Sequence, residues 1–118
     1  MLDDTGTLLA ASLETLGRRH TLLATNLANA QTPGYLRADL DFAAALRAAV
    51  EAAQDPAARE RWNDRSAGEP FMVVDGSPTD LEMEMAEVAR NSLHMMTVTT
   101  LLGLKLEHLR LAISEGRR

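Results

Sequence analysis

Asn26-Leu27-Ala28-Asn29-Ala30-Gln31-Thr32-Pro33-Gly34-Tyr35 ends a long leucine-spaced helix and redirects the chain. Upstream, Leu9, Leu13, Leu16, His20, Leu23, Leu27 and Ala30 alternate steps of four and three, the seam of a heptad. Asn29 falls at the end of that pattern, where Asn tolerates a left-handed backbone. Pro33 forbids a continued helical ladder and pushes Thr32 toward an extended conformation. Pro33-Gly34 suits the centre of a type II turn, Pro fixing a negative φ and Gly accepting a positive one. Turn chemistry alone fits a plain helix stop as well as a junction between functional segments.

Across the chain's 118 residues, 46% are hydrophobic, but the aromatics are only Trp62, Tyr35, Phe42 and Phe71. An apolar mass of Leu, Ala and Met suits long paired helices more than a thick core. The net charge of −5, with Arg residues interspersed among acids, leaves no basic footprint for nucleic acid. No apolar run approaches the ~20 residues that span a bilayer, and Met1-Leu2-Asp3-Asp4 lacks the basic start of a cleaved secretory signal. These features predict no membrane insertion and leave open export without a cleaved signal peptide. Without cysteine there is no disulfide framework, thiol nucleophile or thiolate metal site.

A second strong helix is predicted over 79–115. Thr79-Asp80-Leu81-Glu82 has capping-box spacing after Pro78. From there Leu81, Met85, Val88, Ser92, Met95, Thr99, Leu102, Leu106, Leu109 and Ile113 again step by four and three. Such a helix is about 55 Å long, more than a compact domain of this size covers. Asp80, Glu82, Glu84 and Glu87 crowd its start, while Lys105, His108, Arg110, Arg117 and Arg118 lie toward its end, both suiting the macrodipole. Asp3 and Asp4 do the same for the first helix.

Antiparallel pairing of the two seams sets Leu16 near Met95, Leu23 near Val88 and Leu9 near Leu102, with His20 beside Ser92 as one polar layer. Such a layer can set register at some cost in stability. The plainer alternative leaves the His20 ring in water at the seam edge. Leu22, Leu93, Leu101, Leu104 and Leu111 lie off the seam and exceed what one helix contact can bury, so neighbouring molecules are their natural cover. Met83 and Met96 are off it too, and Gly103 is expected to permit close helix approach.

The connection over 31–78 reads as largely irregular. Asp39-Leu40-Asp41-Phe42 caps a short helix with a Phe42, Leu46, Val50 stripe, bounded by Pro56. Residues 57–64 add a helical turn or two carrying Trp62, and Ser66 to Pro70 reads as loop. Phe71-Met72-Val73-Val74 has β character without an evident partner in the chain; it pairs with another chain or simply runs extended.

The expected fold is all-α: two long N- and C-terminal helices paired as an antiparallel coiled coil, in one elongated domain over 1–118 divided at 1–30, 31–78 and 79–115. Catalytic constellations are missing. His20, His94 and His108 form no metal spacing, no glycine-rich loop cradles phosphate, and Ser12, Ser92 and Ser114 sit in no nucleophile elbow. No enzyme activity, cofactor or metal is predicted.

Two separated motifs, in order, resemble the flagellar rod, hook and hook-associated axial proteins, in particular their proximal-rod members. The first is Asn26, Asn29, Thr32, Pro33, Gly34 and Tyr35, continued by Asp39-Leu40-Asp41-Phe42. The second is Asp75-Gly76 followed by Asp80-Leu81, Glu84-Met85 and Asn91-Ser92-Leu93. Met95 stands where similar sequences usually carry an aromatic, and Leu36 where they carry a basic residue. The resemblance implies a structural subunit of the bacterial flagellar basal body, in the periplasmic rod. It also implies export through the flagellar type III apparatus and assembly with itself, other rod proteins, and membrane-ring and rod-adaptor proteins. It further implies that terminal helices pair into a helical tube that transmits torque, and that they are poorly ordered beforehand. The alternative class is a soluble helical adaptor or export chaperone of a secretion system.

Overall fold

The computed structural model describes residues 3–66 and 68–116; the basic pair Arg117 and Arg118 that was expected to complement the helix dipole lies outside the described residues. Six elements follow in order: α1 (Asp4–Ala28), β1 (Leu36–Leu40), α2 (Phe42–Gln54), α3 (Pro56–Asn63), β2 (Met72–Pro78) and α4 (Leu81–Gly116).

Helix α1 starts where Asp3 Oδ1 accepts from the Gly6 amide at 2.8 Å, an N-cap that also places an acid at the positive end of the dipole. It ends at Ala28, two residues before the expected boundary. Asn29 is not left-handed: its φ is −104° and ψ 12°. The positive φ falls instead on Gly34, at 78°, and the Tyr35 amide donates to Thr32 O at 3.2 Å across Pro33-Gly34. The expected proline-glycine turn is present, and it delivers the chain directly into a strand.

That strand corrects the all-α expectation and the irregular central connection. β1 and β2 form a two-stranded antiparallel sheet, with Ala38 opposite Val74 and Leu40 opposite Met72. Phe71-Met72-Val73-Val74 thus has its partner within the chain. Leu36-Arg37-Ala38-Asp39-Leu40 alternates apolar and polar residues with period two, and Ala38 and Leu40 turn inward to burial.

Asp41 caps α2 by accepting from the Ala44 amide at 3.2 Å. Phe42, Leu46 and Val50 are half-buried flanks, while the innermost positions are Ala45, Ala49 and Ala52. These alanines meet Ala11, Leu40 and Trp62 in one cluster, and their small size lets α2 lie close on α1. Asp55 closes α2 and opens α3, its carboxylate accepting from the Ala57 and Ala58 amides, with Pro56 in the first helical turn.

The α4 cap also differs from expectation. Asp80 Oδ1, not Thr79, accepts from the Glu82 amide at 2.9 Å and the Met83 amide at 3.4 Å. Thr79 is used elsewhere: its hydroxyl donates to Ala30 O at 3.1 Å, tying the entry of α4 to the exit of α1. From there α4, about 54 Å long, runs antiparallel to the shorter α1. Glu87 meets Arg19, Asn91 meets Leu16, and Lys105 meets Asp3 at 2.5 Å. Residues 106–116 extend past that last pair, and the overall extents are 65 × 31 × 18 Å.

Candidate assembly surface and helix junction

The side of α4 that meets α1 is not the one the heptad selects. Its buried or half-buried positions are Glu84, Val88, Asn91, Met95, Val98, Leu102, Lys105 and Leu109, with half-buried Glu87 and Ser92 beside them. Val88, Met95, Leu102 and Leu109 belong to the expected seam. Leu81, Met85, Thr99, Leu106 and Ile113 are exposed, and each is replaced by a neighbour one residue earlier or left outward. The α1 half of the expectation fits: Leu16 and Leu23 are buried, and Leu9, Leu13, His20, Leu27 and Ala30 are half-buried.

The helix therefore turns charged and amide side chains inward and much of its apolar mass outward. Leu93, Leu104 and Met96 are more than 60% exposed. Gly103 is also outward, with open space around it, so it permits no close approach within the chain.

The expected His20 and Ser92 layer is shifted by one residue. Asn91, fully buried, donates through Nδ2 to Leu16 O at 3.0 Å and lies 3.3 Å from His20 Nδ1. Burial of its amide without a partner for Oδ1 is an uncompensated cost at this height of the pair.

Asn26, Asn29, Thr32 and Tyr35 all make side-chain hydrogen bonds within the chain. Asn26 is fully buried and acts as a peptide-like bridge: Nδ2 donates to Ala38 O at 2.6 Å, and Oδ1 accepts from the Ala38 amide at 3.0 Å. Tyr35 donates its hydroxyl to the same oxygen at 3.2 Å. Asn29 donates to Thr25 O at 2.9 Å and accepts from the Thr32 hydroxyl at 3.3 Å. Together these bonds fasten β1 to the last turns of α1.

A charged lattice that the sequence reading missed holds the hairpin and α4 to this junction. Arg37 on β1 donates from Nε to buried Glu84 at 2.8 Å and from Nη1 to Asp75 at 2.6 Å. The Glu84 bond, working against burial, raises the Arg37 pKa. Arg19 forks onto both oxygens of Asp39 at 2.9 Å and reaches Glu87 at 3.7 Å. The only advance signal was the alternation that sets Arg37 and Asp39 on one side of β1.

On the far side of α1, Arg18 lies 3.5 Å from the Trp62 ring centroid and pairs with Glu69 at 3.3 Å. Trp62 Nε1 donates to Glu14 at 2.7 Å, and Arg59 forks onto the same carboxylate. These contacts pin α3, and no spacing rule announces them.

Partial burial pulls the Asp39 pKa upward, but the Arg19 guanidinium and the Leu40 amide outweigh it and hold the carboxyl below its ordinary 3.8. A depressed carboxylate adds stability that is present above its unfolded-state value and lost as pH falls through the folded one. Thermal melting should therefore weaken as pH drops below 3.8, and Asp39→Asn should flatten that acid limb while lowering stability at neutral pH. An unchanged acid limb in the variant would remove Asp39 from this role.

Among the described residues no helix is long and apolar enough to cross a membrane. An antiparallel helix pair braced by a small hairpin, whose long member exposes its leucines, defines the class of helical subunit that neighbours complete. No family model matches the chain. It is similar to the flagellar basal body rod protein FlgB of Cereibacter sphaeroides, 35% identical over 80% of this chain and 82% of that one. It also resembles the same protein of Escherichia coli K12, 30% identical over 87% and 91% of the two chains, and of Yersinia enterocolitica, 29% identical over 89% and 90%. The chain belongs to the FlgB family of flagellar basal body rod proteins.

Proposed function

We propose that this chain is a structural subunit of the proximal rod of a bacterial flagellar basal body, with no catalytic role. The observation that carries the reading is the outward apolar face of α4, from Met83 through Leu93 and Leu104 to Leu111. A heterologous contact that does not close on itself builds a helical array, and interdigitated helices transmit torque because packed interiors compress little.

In this reading residues 1–118 form one axial unit, and α1 and α4 wind as a coiled coil in the tube wall. The Asn26 to Tyr35 junction is where the axial helix ends and the bracing hairpin begins. Subunits reach the periplasm through the flagellar type III export apparatus. They meet copies of themselves, other rod proteins, and the membrane-ring and rod-adaptor proteins. Neither a cofactor nor nucleic acid takes part.

Deleting the gene and imaging purified basal bodies tests the reading. Rings lacking a proximal rod are expected, restored by the wild-type chain. A complete rod in the deletion strain contradicts it, and a rod missing only a client subunit points to an adaptor or chaperone.

A further inference from the structure

The positions of α4 that meet α1 include two rows with a seven-residue step. One holds Val88, Met95, Leu102 and Leu109, and the other Glu84, Asn91, Val98 and Lys105. Three residues of the second row are polar, and each is bonded across the contact. Glu84 Oε1 accepts from Arg37 Nε at 2.8 Å, Asn91 Nδ2 donates to Leu16 O at 3.0 Å, and Lys105 Nζ meets Asp3 at 2.5 Å. Arg37 is fixed relative to α1, because Asn26 bridges to Ala38 and Arg19 forks onto Asp39. The three bonds are spread over roughly 31 Å of α4.

The apolar row does not by itself fix how far α4 is displaced along α1. A slip of one heptad, roughly 10 Å, puts Met95, Leu102 and Leu109 at the places of Val88, Met95 and Leu102. The opposite slip fills all four places with Leu81, Val88, Met95 and Leu102. The polar row accepts neither. In the first slip Leu16 O faces Val98, Asp3 faces Ala112, and the Arg37 guanidinium faces the uncharged Asn91. In the second, Asp3 faces Val98 and the Glu84 carboxylate lands against the Leu16 carbonyl, acceptor on acceptor. Both slips break the bonds of all three polar residues, and the first also leaves Lys105 at the half-buried place of Val98.

We propose that Glu84, Asn91 and Lys105 set the axial register of α4, excluding the one-heptad slips that Val88, Met95, Leu102 and Leu109 tolerate. A polar residue at a seam position selects register in this way at a cost in stability. The cost is visible here, since Glu84 Oε2 and Asn91 Oδ1 are buried without partners. Register matters for the outward leucines: a slip carries Leu93, Leu104 and Leu111 roughly 10 Å along the axis, out of step with the surface that α1 and the hairpin present. That consequence rests on the rod-subunit reading; the selection of register does not.

The chain has no cysteine, so engineered pairs report the register. His20 Nδ1 lies 3.3 Å from Asn91 Nδ2. His20→Cys with Asn91→Cys therefore reads the observed register, and His20→Cys with Val98→Cys or with Glu84→Cys reads the two slips, each two turns away. A copy carrying one pair is produced beside the wild-type chain, basal bodies are purified and oxidised, and the intramolecular disulfide is measured at monomer mass. The pair at 20 and 91 should exceed either slip pair at least about tenfold. Changing the remaining polar residues of the row to Leu should raise one slip disulfide at least about fivefold. Asn91→Leu alone should raise it about twofold, and it decides the matter if the fuller variant does not enter the rod. Slip disulfides that stay at their starting level overturn the proposal, as does a missing disulfide between 20 and 91. Absence of the wild-type chain from basal bodies sinks the rod reading instead, and the same disulfides are then measured in whole cells.

Discussion

Asn26→Ala should release the hairpin from α1 and lower Tm by roughly 10–20 °C, from a loss of about 3–5 kcal/mol. The size follows from what the amide does. It satisfies both the N–H and the C=O of Ala38 at 3.0 and 2.6 Å in a fully buried position, and it receives the Tyr35 hydroxyl. Truncation leaves those backbone groups and the phenol without partners and opens a cavity beside buried Leu23 and Ala38. The effect extends to α4, because Arg37, one residue from Ala38, is the anchor of Glu84. Far-ultraviolet circular dichroism should show the helices surviving at low temperature while the cooperative melt moves down. Tyr35→Phe removes only the outer bond and should cost about 1 kcal/mol. A variant at Asn26 melting within two degrees or so of wild type would mean the bridge is not formed in solution.

Replacing Leu93, Leu104 and Leu111 together with Ser should abolish rod assembly and swimming while changing the stability of the free chain little. These three lie opposite the contact with α1, and they are 62%, 63% and 54% exposed. Surface substitutions of this kind usually stay within about 0.5 kcal/mol each. On the proposed reading the assembled tube buries the same side chains, and each substitution then loses about 1.5–3 kcal/mol of apolar transfer free energy per subunit. Repeated at every subunit of an array, that loss is decisive. Motility on soft agar and the yield of intact basal bodies measure the outcome, with the melting curve of the purified variant as the control for folding. Wild-type swimming would place this face in solvent within the rod.

The terminal helices were legible because their signals are local and long: heptad steps, an acid at each start and a proline-glycine turn with one forced geometry. The turn formed where Pro33 and Gly34 required it. The hairpin was missed because a strand of five residues carries little periodic signal. Asp39-Leu40-Asp41-Phe42 also matched a helix cap, and that cap is real, at Asp41.

The seam of α4 was misplaced for a more instructive reason. Heptad reading seeks the most apolar stripe and assumes it faces the nearest helix. Here Arg37 and Leu16 O select Glu84 and Asn91 as the inward residues, and both partners come from distant parts of the chain. The capping box failed in a similar way, since Ala30 O offered Thr79 a tertiary partner that spacing rules cannot see. Residue-level meaning also changed for the Asn26 to Tyr35 segment. Its chemistry is spent on fastening β1 to α1, which makes it the joint that positions the hairpin beside the axial helices.

The most direct measurement is cryo-electron microscopy of purified basal bodies carrying this chain, at a resolution that shows side chains. The account predicts that α1 and α4 run along the rod wall with Leu93, Leu104 and Leu111 packed against neighbouring subunits and Glu84 on Arg37. Density for this chain outside the rod, or within it with those leucines facing solvent, would contradict the account.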